Sequence, residues 1–409
     1  MLVVVFEDQR QRTLAPLTSL RPLWRLKLGY GELADRFDAS FPGARWWPRS
    51  ELRPLCRRPL FQPGVVTDET VFVNAAAADP YAVAARAAAE DEAAGEFIED
   101  DEGLRLVWFR TPAGVSPTPG GLEPHQRGYA AALAAELLPL ALNPDTRTLL
   151  RHPWELVNAN ADELMGGFQN HTHGRSGVQA GRIIGDFRAV FIEKGADVEP
   201  DVIFDTTDGP VVVAAGARLK APARLEGPCF IGPETLVDNA VIRPGTSIGY
   251  NCRISGELEA CLLSDHVNKH HYGFLGHAYL GEWVNLGAGT TNSDLKNNYK
   301  SVRVHTPTGR VDSGALKLGC FIGDHTKTGI GTLIGTGTSI GAFCNIFDVG
   351  TLSGWLPPFS WLSRRGRSVY RLEQALETAA VVMARRNVTL DDELRRLIQL
   401  RFAENDDEA

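Results

Sequence analysis

Residues 268–300 gather the side chains best suited to chemistry. NKHHYGFLGH (268–277) holds His270, His271 and His277, and GEWVNLGAGTTNSDLKNNYK (281–300) starts as a regular β-rich run and turns into an amide- and Lys-rich one. A neutral imidazole titrates near working pH and can take a proton from an amine nucleophile. Asn and Asp can orient hydroxyls or that amine, and Lys and Arg neutralise a phosphate. Gly281, Gly287 and Gly289 keep the wall low, so a ligand could reach backbone N–H groups able to stabilise an oxyanion. Each residue also has a plainer role. A lone His on a β-coil is more often a hydrogen-bonded filler, Asn285 fits a stacked Asn ladder, and Arg243 fits a surface ion pair.

These residues sit inside a repeat. Val213, Leu219, Leu225, Ile231 and Val237 are spaced by six; Ile242, Ile248 and Ile254 continue after a one-residue slip. Leu280 and Leu286 rejoin the spacing, as do Ile322, Thr328, Ile334, Ile340 and Ile346, with Ile192, Val198 and Phe204 opening it. A helix repeats at 3.6 and a strand at 2, so neither alone gives six. A prism-shaped solenoid does: each step is one short strand and a turn, with the aliphatic residue inward. The fold expected is a left-handed parallel β-helix of hexapeptide repeats. Thr291–Lys317 has no hexad and is expected to leave the prism as an arm, and the solenoid is expected to end after Leu352.

Residues 1–180 read differently. MLVVVF and TVFVNAA (70–76) read as strands, Tyr81–Glu96 and Gln126–Leu138 as Ala-rich helices, and 112–124 as a Pro/Gly-rich loop. The alternation predicts a Rossmann-like α/β domain. HPWELVNANADELMGGF (152–168) reads as a helix near its end. The organisation expected is therefore an α/β domain over 1–180, a β-helix over 181–352 and a helical tail over 353–409, with one or two amphipathic helices in 369–402.

Composition narrows the class. The net charge is −8 without a long basic run, which argues against nucleic acid as the main partner. The six cysteines are scattered with no C-x-x-C pair, as suits reduced thiols in a cytosol. The opening has no signal-peptide pattern, and the longest mostly apolar stretch, Ala130–Leu142, is too short to span a bilayer and contains Glu136. A cytoplasmic protein without membrane insertion is expected.

Residues 240–300 resemble the acetyltransferase half of the bifunctional glucosamine-1-phosphate N-acetyltransferase/N-acetylglucosamine-1-phosphate uridylyltransferases. AVIRPGTSIG resembles that family's Arg-Pro-Gly coil, and HYGFLGHAYLGEWVNLGAGT its His-x-x-aromatic-x-Gly and Asn-x-Gly-Ala-Gly-Thr segments. SGALKLGCFIGDHTKTGIGTLI (313–334) is similar to the archaeal sugar-1-phosphate nucleotidylyltransferase/acetyltransferases. The resemblance implies His271 as general base, Arg243 on the sugar phosphate, Asn285 on the sugar or amine, Asp294 in place of the family's Asn, Lys300 as a second phosphate contact and Ala288 on the acetyl-CoA path. It also implies a homotrimer. Phe274 stands where the family has Tyr, Asp324 falls at or near its oxyanion Ser, and Lys269 is a possible stand-in for a missing Lys. A zinc alternative uses His266, His270 and His271, as in the γ-class carbonic anhydrases built on the same prism.

The opening VVVFEDQRQRTLAPLTSLRPLWRLKLGYG looks like a divergent branch of sugar nucleotidyltransferases fused to this β-helix. The strand is present, but the family's Gly-rich phosphate loop is not. Arg12 and Arg21 would then be phosphate contacts. Asn74 stands where the family has a Mg²⁺-binding Asp, so Asp8 and Asn158 are the candidate metal ligands. The implied chemistry uses acetyl-CoA, Mg²⁺ and UTP or another NTP, with small sugar phosphates and nucleotides as partners. The competing reading is a non-catalytic scaffold or sensor with a degenerate nucleotidyltransferase domain.

Overall fold

The computed structural model describes residues 2–89, 95–100, 103–136, 140–175 and 177–407. The chain divides into two compact units: Met1–Leu14, Leu20–Leu26 and Glu32–His152 form one, and Ala15–Ser19, Lys27–Gly31 and Pro153–Ala409 the other.

The first unit is built on a six-stranded sheet in the order Arg45–Trp47, Leu2–Phe6, Thr70–Asn74, Gly103–Thr111, Gly95–Asp100, Leu140–Leu142. Leu2–Phe6 runs parallel to both neighbours, while Gly103–Thr111 is antiparallel to both of its own. VVVF and VFV are continuous apolar runs because both faces of the central strands are covered. Val4, Phe6, Phe72 and Phe109 meet in one core with Trp47 and Phe61, and the Phe72 and Phe109 rings stack at 4.5 Å. The helices are shorter than their Ala-rich runs suggest, Pro80–Ala89 and Tyr129–Glu136. Residues 90–94 of the first run and Leu137–Leu138 of the second lie outside the described residues. Gly95 and Glu96 belong to a strand, because the chain there passes close to a neighbour: a Cβ on Gly95 would meet the Trp108 carbonyl oxygen at 2.6 Å. Glu96 is then held by Arg86 at 2.9 Å and the Trp108 indole at 3.0 Å.

The second unit is a β-solenoid of about 10 turns with a helix on each side of it in sequence. Each turn lays down three short strands that pair in parallel with those of the next turn. The first face includes Asn268–Lys269, Asn285–Leu286, Lys327–Thr328 and Asn345–Ile346. The second includes Arg224–Glu226, 240–242, 256–258, Phe274–Gly276, Thr291–Asn292 and Leu333–Ile334. The third includes Cys229–Ile231, Thr246–Ile248, Leu262–Leu263, Tyr279–Leu280 and Cys320–Ile322. The hexad aliphatics form one continuous core from Val190 to Leu356. Each fully buried Ile or Leu there contributes roughly 1.5–3 kcal/mol.

Pairing also explains where the hexad seemed to lapse. The slip after Val237 is a register shift between Val237 and Ala240. Between Ile254 and Leu280 the inward residues are Leu258, Leu263, Lys269 and Leu275, paired with Ile242, Ile248, Ile254 and Leu258. The repeat continues there with uneven spacing and one polar member. Thr291–Asn292 also stays in the coil, with Asn292 paired to Ile334, so the arm begins at Ser293 rather than Thr291. Asn292 is inward because its amide replaces ladder bonds, accepting from Gly276 N at 2.7 Å and donating to Gly276 O at 2.9 Å. The arm carries an antiparallel hairpin, Arg303–Thr306 with Gly309–Asp312, and buries Val302 and Val304. Beyond Leu352, Trp355–Leu356 and Ser360–Ser363 still pair onto the coil, and Ser360–Ser363 folds back on Gly366–Val369. Helices Leu372–Ala384 and Asp392–Asp407 follow. Among the described residues no helix is long and apolar enough to cross a membrane.

Candidate functional site

His271 lies at the corner between the first and second faces, after Asn268–Lys269 and before Phe274–Gly276. It is exposed, and among the described residues its imidazole makes no hydrogen bond or ion pair; its nearest described ring is His270 at 5.7 Å. One turn later, Ala288 occupies the equivalent corner. The two corners are tied where Gly289 N donates to Tyr272 O at 3.0 Å. A Cβ on Gly289 would meet the Tyr272 hydroxyl at 2.8 Å, so the low wall expected of that glycine is occupied by a tyrosine side chain. Asn285 faces outward three residues before Ala288, and its Oδ1 accepts from Asn268 Nδ2 at 2.6 Å. It is thus part of a stacked Asn pair, with Lys327 next in the same column.

Arg243 and Asp294 lie along the second face toward the opposite corner, with Phe274 between their strands. A three-residue strand separates the two corners by about 10 Å. Arg243 Nε donates to Glu257 Oε1 at 2.6 Å and its guanidinium also meets Glu226 at 3.5 Å, which raises its pKa. Asp294 accepts from the His277 ring at 2.8 Å. Burial pushes the Asp294 carboxyl up, but His277 and Lys317 outweigh it and the net shift is downward. Lys317 Nζ reaches Glu259 at 3.0 Å, and that hydrogen bond raises its pKa. The strip therefore holds cations already matched by carboxylates. Glu257, Glu259, His277 and Lys317 were not legible as a group from local motifs. A 17-residue register, seen in Glu257 opposite Phe274 and Asn268 opposite Asn285, is the signal that would have set His277 beside Asp294.

Lys300 is exposed on the arm, its backbone N bonded to Asn298 Oδ1 at 3.2 Å. Lys269 does not stand in as a ligand contact, because it points inward and is 2% exposed. Asp324 belongs to the corner between the third and first faces, where it is buried and accepts from Glu282 N at 2.7 Å. His266 lies on that corner too, stacked on Trp283 at 3.9 Å. The stack continues through His325, Phe343 and Phe359, all with positive φ. His266 is thus committed to packing, and among the described residues no group of three His, Cys, Asp or Glu could hold a metal ion. The zinc reading loses its third ligand. The five cysteines of the solenoid are free and buried along the core.

On the third face a cavity of about 320 Å³ is lined by Tyr30, His171, Phe230, Ile248 and Tyr250. Its charged groups are paired, Lys27 with Asp265 at 3.1 Å and Arg175 with Glu193. It lies on a different face from His271.

In the first unit a 3₁₀ helix, Gln9–Leu14, follows the first strand where the Gly-rich loop is missing. Arg12 on it is exposed, and Arg21 is buried with its carbonyl accepting from Arg49 at 2.9 Å. Asp8 Oδ2 is bound by Arg105 Nε at 2.9 Å and by Asn74 Nδ2 at 2.8 Å, and Asp8 Oδ1 accepts from Arg10 N at 2.9 Å. The Asn74 side-chain Oδ1 accepts from Ala76 N at 2.9 Å. A divalent cation does not fit this arrangement: the carboxylate is neutralised by a guanidinium and the amide oxygen is used. Asn158 belongs to the other unit, exposed on the helix Pro153–Thr172. The Mg²⁺ expectation for Asp8 is not met by this arrangement.

The chain thus joins an α/β domain to a β-solenoid and a helical end. Residues 3–176 match the family described as sugar nucleotidyl transferase. A bifunctional sugar-1-phosphate nucleotidylyltransferase/acetyltransferase of Sulfurisphaera tokodaii is 33% identical over 161 residues, 39% of this chain and 39% of that protein. The bifunctional protein GlmU of Jannaschia sp. is 33% identical over 158 residues, 36% of this chain and 32% of that protein. An uncharacterised acetyltransferase, YaiX, of Escherichia coli O6:K15:H31 is 31% identical over 145 residues, 35% of this chain and 63% of that protein. The matched segment spans well under half the length of the first two relatives. These matches support the resemblance read from the motifs.

Proposed function

We propose that the solenoid transfers the acetyl group of acetyl-CoA to the amine of an amino-sugar-1-phosphate such as glucosamine-1-phosphate. The observation that carries this reading is the exposed, uncommitted His271 on a corner tied to the one that holds Ala288. The amine nitrogen forms a bond to the thioester carbon, the C–S bond breaks, His271 takes the ammonium proton, and the CoA thiolate recovers a proton on release. Asn285 and Asp294 orient the acceptor, and Lys300 with Arg243 meets its phosphate once the substrate displaces the Glu257 contact. The coil's left-handed sense, a homotrimer and a cytoplasmic location belong to the same reading, as does nucleotidyl transfer from UTP to N-acetylglucosamine-1-phosphate in the first domain.

The test is CoA-thiol release from acetyl-CoA with glucosamine-1-phosphate, run beside His271→Ala. Release that disappears in a folded variant supports the reading; equal release in both overturns His271 as base. For the first domain a second reading has its own observation, the Asp8 carboxylate spent on Arg105. There the domain is a non-catalytic scaffold or sensor for sugar nucleotides. Pyrophosphate release from UTP and N-acetylglucosamine-1-phosphate with Mg²⁺ decides between the two.

A further inference from the structure

Lys269 is a cation placed where the core expects an aliphatic. Its register partner one turn earlier is Ile254, and the pairing of Asn268 with Asn285 sets it opposite Leu286 one turn later. It is 2% exposed. A buried ammonium is costly unless its N–H groups are matched. Here Nζ donates to Ser255 O at 2.8 Å and to His271 O at 2.7 Å.

The reason for a lysine lies in the corners. Ile254 and Leu258 bracket a tight corner, whereas Lys269 and Leu275 bracket a wider one that carries His271, so the upper corner overhangs the lower. In the wider corner the Tyr272 carbonyl accepts from Gly289 N at 3.0 Å and the Gly273 carbonyl from Glu257 N at 3.2 Å. The His271 carbonyl takes the lysine. Gly256, with φ +80°, makes the room: a Cβ there would lie 2.8 Å from Lys269 Nζ. Burial holds the Lys269 pKa down at about 8, with Cys261 opposing the shift.

We propose that Lys269 is a positioning residue, whose buried ammonium ties the Ser255 and His271 carbonyls of successive turns and fixes the corner from which the His271 imidazole works. The catalytic half of this assignment rests on His271 being the base. A leucine would pack in the Ile254–Leu286 column and leave both carbonyls without that donor, so the lysine serves the corner rather than the core.

The experiment compares wild type with Lys269→Leu and Lys269→Met in the full chain. Amide hydrogen exchange over residues 270–274 should quicken by about 10-fold or more in both variants, with other turns unchanged. The kcat for CoA-thiol release should fall by about 10–100-fold with little change in KM for acetyl-CoA, since a small misplacement of a catalytic group has effects of that size. Unchanged exchange overturns the anchor, and faster exchange with unchanged kcat overturns the positioning role. Loss of the fold in both variants makes Lys269 a stability residue and overturns it as well. If wild type itself releases no CoA, the base reading has failed separately, and exchange alone decides the anchor.

Discussion

At the corner between the third and first faces, His266 and His325 lie in a stack with Trp283, Phe343 and Phe359, capped edge-on by Phe402 of the last helix. At the corner between the first and second faces, His271 stands exposed above a buried lysine. Both corners belong to the same repeat and both use histidine. One half-buries the His266 ring and lowers its pKa, mainly by desolvation. The other leaves the ring in solvent and ties down only its backbone. A histidine's role in such a coil is thus set by which corner it occupies, because one corner has an aromatic column to join and the other does not.

Exchanging side chains on each corner tests the contrast. His271→Ala should lower kcat for acetyl transfer by about 10²–10⁴-fold, the usual worth of a general base. Its melting temperature should stay near that of wild type, because little is buried. Trp283→Ala should do the reverse, costing about 3–5 kcal/mol in denaturant unfolding by emptying the middle of the stack, with residual activity per folded molecule kept. If Trp283→Ala leaves stability untouched, the ladder is not structural and the comparison fails.

Arg243→Met gives a smaller effect. Its ion pairs are half exposed, so stability should change by no more than about 1 kcal/mol, while KM for the amino-sugar phosphate should rise about 10-fold. A KM equal to that of wild type would confine Arg243 to its pairs with Glu226 and Glu257. The smallest effect is expected of His266→Phe. Burial, reinforced by Arg386 and Arg253 and opposed by Glu282 and Asp265, holds the folded His266 pKa below the unfolded value of about 6.5. The unfolded chain therefore binds more protons there, and this part of stability is lost as pH falls below about 6.5. His266→Phe should match wild type at pH 7 within about 1 kcal/mol and lose less stability between pH 6.5 and 5. The prediction fails if the two stability curves run parallel over that range.

Much of the fold was legible because its signals are local. The strands Leu2–Phe6 and Thr70–Asn74, the helix Pro153–Thr172 and the hexad aliphatics all stand where apolar patterning puts them. Asn292 and Lys269 escaped because their polar type hides an inward position that only pairing with Ile334 and Ile254 reveals. Ser360–Ser363 escaped because the two prolines before it read as an ending, although the strand still pairs with Asn345–Ile346. Of the candidate site, His271 and Ala288 fall on adjoining corners, whereas Arg243 and Asp294 gather near the far edge of the second face, each already paired. Asp8 showed the same limit in the first domain: its type suited a cation, but Arg105, 97 residues away in sequence, had already taken it.

The sequence by itself determined the repeat, its aliphatic inward residues and the segment that leaves it, because spacing along the chain is set by short strands and turns. Only the tertiary structure decided which histidine is buried, which lysine faces the core and which carboxylates are spent. Those outcomes depend on what the neighbouring turn brings alongside, and the turns differ in length at the corners that matter.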